Sequence, residues 1–296
     1  MQEIQQMNEI HKAELIRGNL SMMEELSMME ELSCQLEMTE QMKAAVSAVA
    51  LTEVEYEKYK ELFYTMLTTF FTEVKKKDHY RQLFLKLYLR LACEAHETYR
   101  ERGISDSIYI DTFRDIVYWT ENCMRDYGEM GIEEYDWLWR HVKLKLFKLG
   151  RLQYEIVRGI EEPELNKRKL EQKEIALNLH IPQGEPLDYE KCKVSLAQAE
   201  QFFKEHGGNY KEITCHSWLL SPALKEILPE TSNIVRFQSL FEIYALDEGL
   251  REAEERVFHK LENNPENYPE NTSLQHALKK YLCEGNRIGS AFGILL

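Results

Sequence analysis

The sequence predicts an α+β protein, with a helical N-terminal region over 1–148 and a mixed β-sheet flanked by helices over 149–296. Two observations carry this. All seven prolines, Pro163 to Pro269, lie in the second half. Proline breaks helix interiors, so its absence from the first half is what a helical region shows. After Leu149-Gly150 the apolar spacing changes from helical to two: Leu152, Tyr154 and Ile156 alternate with Arg151, Gln153 and Glu155. The chain length also fits about two domains.

The elements follow in order. Met22, Leu26, Met29 and Leu32 form one helical stripe within the tandem repeat SMMEELSMMEEL. Such a stripe serves as core, or as an adaptable methionine-rich binding face. Further helices are predicted at 52–75, 78–102, 107–126 and 132–148, with Gly103 and the Gly128–Gly131 stretch as stops. Ser105, Asp106 or Ser107 can cap the third of these. Strands are predicted over 151–157 and 175–181, joined by the charged loop Glu161–Lys173 as an antiparallel hairpin. A helix over 195–205 opens on the capping-box spacing Ser195…Gln198 and stops at Gly207-Gly208. A strand over 212–219 and a short helix from Ser221-Pro222 come next. The alternation Val235, Phe237, Ser239, Phe241, Ile243 predicts a strand over 234–244. Helices over 247–261 and 273–283 precede an apolar tail, IGSAFGILL.

Composition excludes several functions. A net charge of −14 disfavours non-specific nucleic-acid binding, and Lys75-Lys76-Lys77 reads as a solvated loop. No apolar run approaches the roughly 20 residues of a membrane span. MQEIQQMNEI has neither the basic flank nor the apolar run of a signal peptide, so a cytoplasmic protein is expected. The six cysteines contain no CxxC and read as reduced thiols. No metal site stands out, since His79 with His96, or Cys192 with His216, would need the fold to bring them together; there is no P-loop, GxGxxG, HExxH or GxSxG.

The stretches LGRLQYE, LHIPQGEPL, SLAQAEQFF, CHSWLLSPAL and SNIVRFQSLFEIY resemble a bacterial acyltransferase-domain family. Its members join an N-acyltransferase N-terminal domain to a GNAT-like C-terminal domain, and are linked to natural-product biosynthesis. The resemblance is strongest over 149–244 and weak before residue 130. It implies an acyl-CoA-dependent N-acyltransferase acting on a small amine or carrier-bound intermediate. It implies two splayed parallel strands, 175–181 and 212–219, with the pantetheine arm between them. Leu179 and Ile181 would line that gap. The pyrophosphate would sit on a helix N-terminus near Lys193, Val194, Ser195 and Leu196, where free N–H groups and the helix dipole favour anions. One departure is plain: DYEKCKVSLAQA lacks the glycines of the usual pyrophosphate loop, and Lys191 and Lys193 are the charges on offer in their place.

Amine acylation needs a base, a group to polarise the thioester carbonyl, and an acid for the leaving thiolate. His180 is the leading base, on one strand face with Asn178 and at the strand end where a cofactor cleft would open; its competing reading is a structural hydrogen bond beside Pro182. Glu185 in the QGEP loop is a second base, an amine anchor, or a solvated loop residue. Ser217 is the candidate donor to the thiolate. Cys215 and His216 are adjacent on a strand, point to opposite faces, and so cannot pair directly. A cysteine hydrolase would therefore need a histidine from another strand. The rival to an enzyme is a non-catalytic GNAT-like module that binds a ligand or partner.

Overall fold

The computed structural model describes residues 26–158, 175–206 and 210–296. The loop Glu161–Lys173, the Gly207-Gly208 stop and the first part of the methionine repeat lie outside them. The chain divides into two compact units, Met1–Val142 and Lys143–Leu296.

The first unit is helical. Residues 26–35 form α1, which buries Met29 and Leu32 and exposes Leu26 and Met28. Helix α2 (Glu40–Ala48) starts on a Thr39 cap, and α3 (Glu53–Thr65) on a Thr52/Glu55 capping box. The predicted helix 52–75 is in fact two. Met66 leaves helical geometry at φ −142°, and α4 (Leu67–Lys75) follows. Helix α5 (Tyr80–Glu101) buries residues around its whole circumference, including the consecutive Leu83, Phe84 and Leu85, so it is the axis of this unit. Gly103, at φ +71°, follows its end. Ser105 caps α6 (Asp106–Phe113), and Arg114 separates it from α7 (Asp115–Tyr127). The helix predicted over 132–148 is corrected to the single turn α8 (Trp139–Val142). Leu144 at φ +52° ends helical geometry, and Leu146–Leu149 is a strand.

The second unit is a six-stranded mixed sheet flanked by helices, in the order β1-β2-β3-β4-β6-β5. Gly150, at φ +66°, turns β1 (Leu146–Leu149) into β2 (Leu152–Arg158). β2 pairs antiparallel with β3 (Ile175–His180). Helix α9 (Tyr189–His206) crosses over to β4 (Ile213–Ser217), which runs parallel to β3. The apolar stripe of α9 covers one sheet face, with Phe202 4.9 Å from Phe147 and Phe203 6.3 Å from Tyr154, ring to ring.

After a 3-10 turn at Trp218–Leu220 come α10 (Leu224–Ile227) and α11 (Asn233–Gln238). Then follow β5 (Phe241–Asp247), α12 (Glu252–Phe258), α13 (Ser273–Cys283) and β6 (Ser290–Leu295). The strand predicted over 234–244 is therefore half helix. The Ser232 hydroxyl accepts from the N–H groups of Ile234 and Val235 and starts a helical turn where alternation suggests extension. The apolar tail is the largest surprise, since β6 inserts between β4 and β5.

Candidate active site

The parallel seam between β3 and β4 is unusual. Pairing joins Leu177 to Ile213 and Asn178 to Thr214, and there it ends. Both strands continue. Beyond that point β3 stays paired to β2 through Tyr154–Leu179 and Gln153–His180. β4 stays paired to β6 through Cys215–Gly293, His216–Phe292 and Ser217–Ala291. The seam opens because each strand follows its other neighbour. Leu177 N–H donates to Glu212 O at 3.0 Å, so it points at β4. By strand alternation Leu179 also faces β4; its N–H closes the Asn178–Thr214 pair, and its C=O lies past it.

Side chains on one face of this opening are polar. Asn178 and Thr214 are side by side, and His180 and His216, each two residues on, share their face. Glu155 pairs with Asn178 from β2. Its carboxylate Oε2 meets His180 Nε2 at 2.9 Å, with the two side chains 9% and 21% exposed. A carboxylate can only accept, so this contact orients the imidazole with Nε2 as donor; Asn178 Nδ2 lies 3.4 Å from the same nitrogen. His180 and Glu155 form a dyad at the mouth of the seam.

The loop after β3 is held from below. The buried Arg151 guanidinium donates to the carbonyls of Pro186 at 2.9 Å, Pro182 at 3.0 Å and Glu185 at 2.8 Å. Gly184 in this loop takes φ +96°. The glycine of the turn therefore lies before Tyr189. The stretch DYEKCKVSLAQA, compared above with a glycine loop, is almost all helix.

That shift corrects one group of expectations. Helix α9 begins at Tyr189, with the Asp188 carboxylate accepting from Lys191 N–H at 2.8 Å and Cys192 N–H already donating to Asp188 O. Lys193, Val194, Ser195 and Leu196 thus lie inside the helix, with no free N–H groups for an anion. Ser195 is fully buried. Its hydroxyl donates to Leu149 O and lies 3.1 Å from Leu152 N and 3.0 Å from Tyr154 Oη, which pins the β1–β2 turn. Val194 is exposed, and Lys193 pairs with Glu190 at 3.3 Å. Basic groups do gather at the start of α9. Lys191 and Lys148 contact Glu185 at 3.2 and 3.4 Å, and Arg236 contacts Glu190 at 2.9 Å.

The remaining candidates separate. Burial pushes the Glu185 carboxyl up, but Lys191 and Lys148 prevail and hold it below the usual carboxylate range. At neutral pH it is a counter-ion. Ser217 emerges on the face opposite His180, buried, with its hydroxyl accepting from Leu219 N–H at 3.1 Å. Cys215 shares that buried face, and burial raises its thiol far above the ordinary value, which leaves no thiolate. His216 is exposed on the other face, stacked on Phe292. Leu179 is buried and Ile181 half-buried just past the strand end. All six cysteines are free thiols. Among the described residues, no group of three His, Cys, Asp or Glu could hold a metal, and no helix is long and apolar enough to cross a membrane.

The model of the GNAT-like C-terminal domain matches residues 146–295, and that of the N-acyltransferase N-terminal domain matches residues 27–144. The chain belongs to this acyltransferase family. Solved structures agree on the fold. An acyltransferase in complex with decanoyl-CoA and teicoplanin superposes with a TM-score of 0.73 at 21% identity, covering 90% of this chain and 86% of the other. A variant acyltransferase in complex with octanoyl-CoA gives 0.74 at 22% identity with the same coverages of 90% and 86%. A search of curated proteins by sequence finds no match.

Within this GNAT-like fold, Glu155, Arg151 and Lys148 were missed as site residues. Each is a buried polar side chain, and that burial comes from strand pairing and not from a local signal.

Proposed function

We propose that the protein is an acyl-CoA-dependent N-acyltransferase that acylates the amine of a small molecule or carrier-bound intermediate, in natural-product biosynthesis. The observation that carries this reading is the open β3–β4 seam with the His180–Glu155 dyad at its mouth. The seam suits an extended thioester arm, because the Leu179 C=O faces it beyond the last strand pair. The lysines and Arg236 at the start of α9 suit its phosphates. The similar structures hold octanoyl- and decanoyl-CoA and teicoplanin, which supports a medium-chain donor and a natural-product acceptor.

In this mechanism Glu155 fixes the tautomer of His180. Nδ1 takes a proton from the amine as its nitrogen attacks the thioester carbonyl. The C–S bond breaks, and the protonated His180 returns the proton to the departing thiolate. The Leu179 C=O is placed to accept a hydrogen bond from the donor's arm. Ser217, on the far face, is not required.

One observation favours a binding protein instead: Asp188 already occupies Lys191 N–H at the start of α9. Thermal shift with octanoyl-CoA, followed by thiol release with amines, separates the readings. Ligand at 100 times its Kd stabilises the fold by about 2.7 kcal/mol. A shift with thiol release supports the enzyme. A shift without release for any amine supports the binding protein, and no shift sinks both.

A further inference from the structure

The open seam has two banks. His180 and Glu155 stand on the β3 side. On the β4 side, and on the same face, His216 stacks on its cross-strand partner Phe292 with ring centroids 3.8 Å apart and planes 2° from parallel. Tyr244, at the β5 bulge, lies 6.1 Å from the Phe292 ring. His216 is exposed; Phe292 and Tyr244 are half-buried. The strand ladder places Thr214, Ile294 and the exposed Glu242 in the adjoining row. On the β4 side of the seam neither row holds a Lys or Arg; across it, the His180 row ends on Lys148 of β1. Aromatic faces and a carboxylate make this bank electronegative, the complement of an ammonium group. The start of α9, with Lys148, Lys191, Lys193 and Arg236, has the opposite character.

From this we infer that His216, Phe292 and Tyr244 form the acceptor subsite, and that it takes an amine carried on a flat ring, either an aryl group or the apolar face of an amino sugar. The inference rests on the acyltransferase reading and names its acceptor chemistry. A donor thioester in the seam has His180 on one side, so the body of the acceptor must lie over the other bank to bring its nitrogen to the carbonyl. A ring laid on the stack meets a π surface already in place, and its ammonium group meets Glu242 or the ring faces.

Cross-strand aromatic pairs also stabilise sheets, so the test must read recognition as well as stability. The full chain is assayed for thiol release from octanoyl-CoA with 2-phenylethylamine, glucosamine and n-hexylamine. The expected result is a kcat/KM for at least one ring-bearing amine about tenfold or more above hexylamine. Whichever ring amine wins identifies the aryl or the sugar source. Phe292→Leu keeps an apolar side chain and removes the ring, and His216→Gln removes the other ring. Each should raise the KM of the preferred amine by about tenfold with the KM of octanoyl-CoA unchanged; Phe292→Tyr should restore it. The proposal is overturned if hexylamine serves as well as the ring amines, or if Phe292→Leu leaves amine KM unchanged. It is also overturned if both KM values and the melting temperature move together. Wild-type protein that binds octanoyl-CoA by thermal shift yet turns over none of the three amines sinks the subsite and leaves the donor reading standing. Absence of octanoyl-CoA binding sinks the donor reading itself.

Discussion

Ser195→Ala should destabilise the GNAT-like unit while leaving its affinity for acyl-CoA intact. The serine sits inside α9 with no exposed surface. Its hydroxyl serves three groups from the β1–β2 turn: Leu149 O, Leu152 N and Tyr154 Oη. Alanine removes one oxygen and leaves up to three buried polar groups without it. Each such loss costs about 1–3 kcal/mol, and the Tyr154 hydroxyl can turn to a new partner, so a total of about 2–4 kcal/mol is expected. For a unit of this size that is a fall in melting temperature of about 5–15 °C. Tyr154→Phe supplies the internal check. With the phenol gone, Ser195→Ala should cost about 1 kcal/mol less than in wild type, read from a double-mutant cycle in urea. Octanoyl-CoA titration completes the assay. A variant that melts like wild type but binds octanoyl-CoA tenfold more weakly would refute the pinning argument and return Ser195 to the donor site.

Other residues give sharper functional readouts. His180→Ala should lower kcat by about 10²–10⁴-fold with little change in octanoyl-CoA KM, because a lost base acts on the chemical step; steady-state kinetics with the preferred amine decide it. Glu155→Gln keeps the shape but loses the carboxylate that fixes the imidazole. Its kcat should fall by up to about 10⁴-fold, the cost of a wrong tautomer in a hydrolase triad, and circular dichroism should show an intact fold. Arg151→Lys can serve one of three carbonyls well, so a loss of about 2–3 kcal/mol and a raised octanoyl-CoA KM are expected together. Glu185 has a depressed carboxyl pKa, so its stabilisation is complete above the unfolded value near 4.5 and is lost as pH falls through the lower folded value. Glu185→Gln should therefore cost about 0.5 kcal/mol at pH 7, after solvent screening, and nothing near pH 2. A penalty that grows in acid would show the sign is wrong. Cys215→Ala should retain turnover, since its thiol is buried and neutral.

The helical half was legible because its signals are local. Proline is absent, caps stand at Thr52 and Ser105, and stops stand at Gly103 and Gly128. The breaks at Met66 and Arg114 carry no such residue, so each pair of helices read as one. β2, β3 and β4 were legible from period two. β1 was not, because Leu138, Val142, Leu146 and Leu149 continue a helical spacing, and only pairing with β2 makes the segment extended. His180 could be found from its place at a strand end. Glu155 could not, because its role comes from register. Only the alignment of β2 on β3 sets it beside Asn178 and within reach of His180. The aromatic bank has the same origin, since Phe292 lies in a tail whose strand character depends on β4 and β5.

The seam itself argues for what fills it. An interior strand pair that stops after Asn178 and Thr214 leaves the Leu179 C=O facing an opening inside a sheet, where pairing is the rule. Fraying does not account for this, because β3 and β4 remain bonded to β2 and β6 over the same residues. The opening is therefore built into the fold. Gly293, opposite Cys215, is close-packed on three sides. An added Cβ would meet Leu220 Cδ1 at 3.0 Å and Ile243 Cδ1 and Phe241 Cβ at 3.1 Å. β6 is thus held tightly against its neighbours, and β4 stays paired with it. A ligand that answers the open edge must be extended, narrow and able to donate hydrogen bonds to it. Amide groups spaced along a flexible arm meet those terms, and a plain fatty acid does not. Accordingly, octanoyl-CoA and octanoyl-pantetheine should both raise the melting temperature, the second by less because it lacks the phosphates that the α9 lysines would meet, while octanoate alone should leave it unchanged. Equal stabilisation by octanoate would mean that the acyl chain, and not the seam, carries recognition.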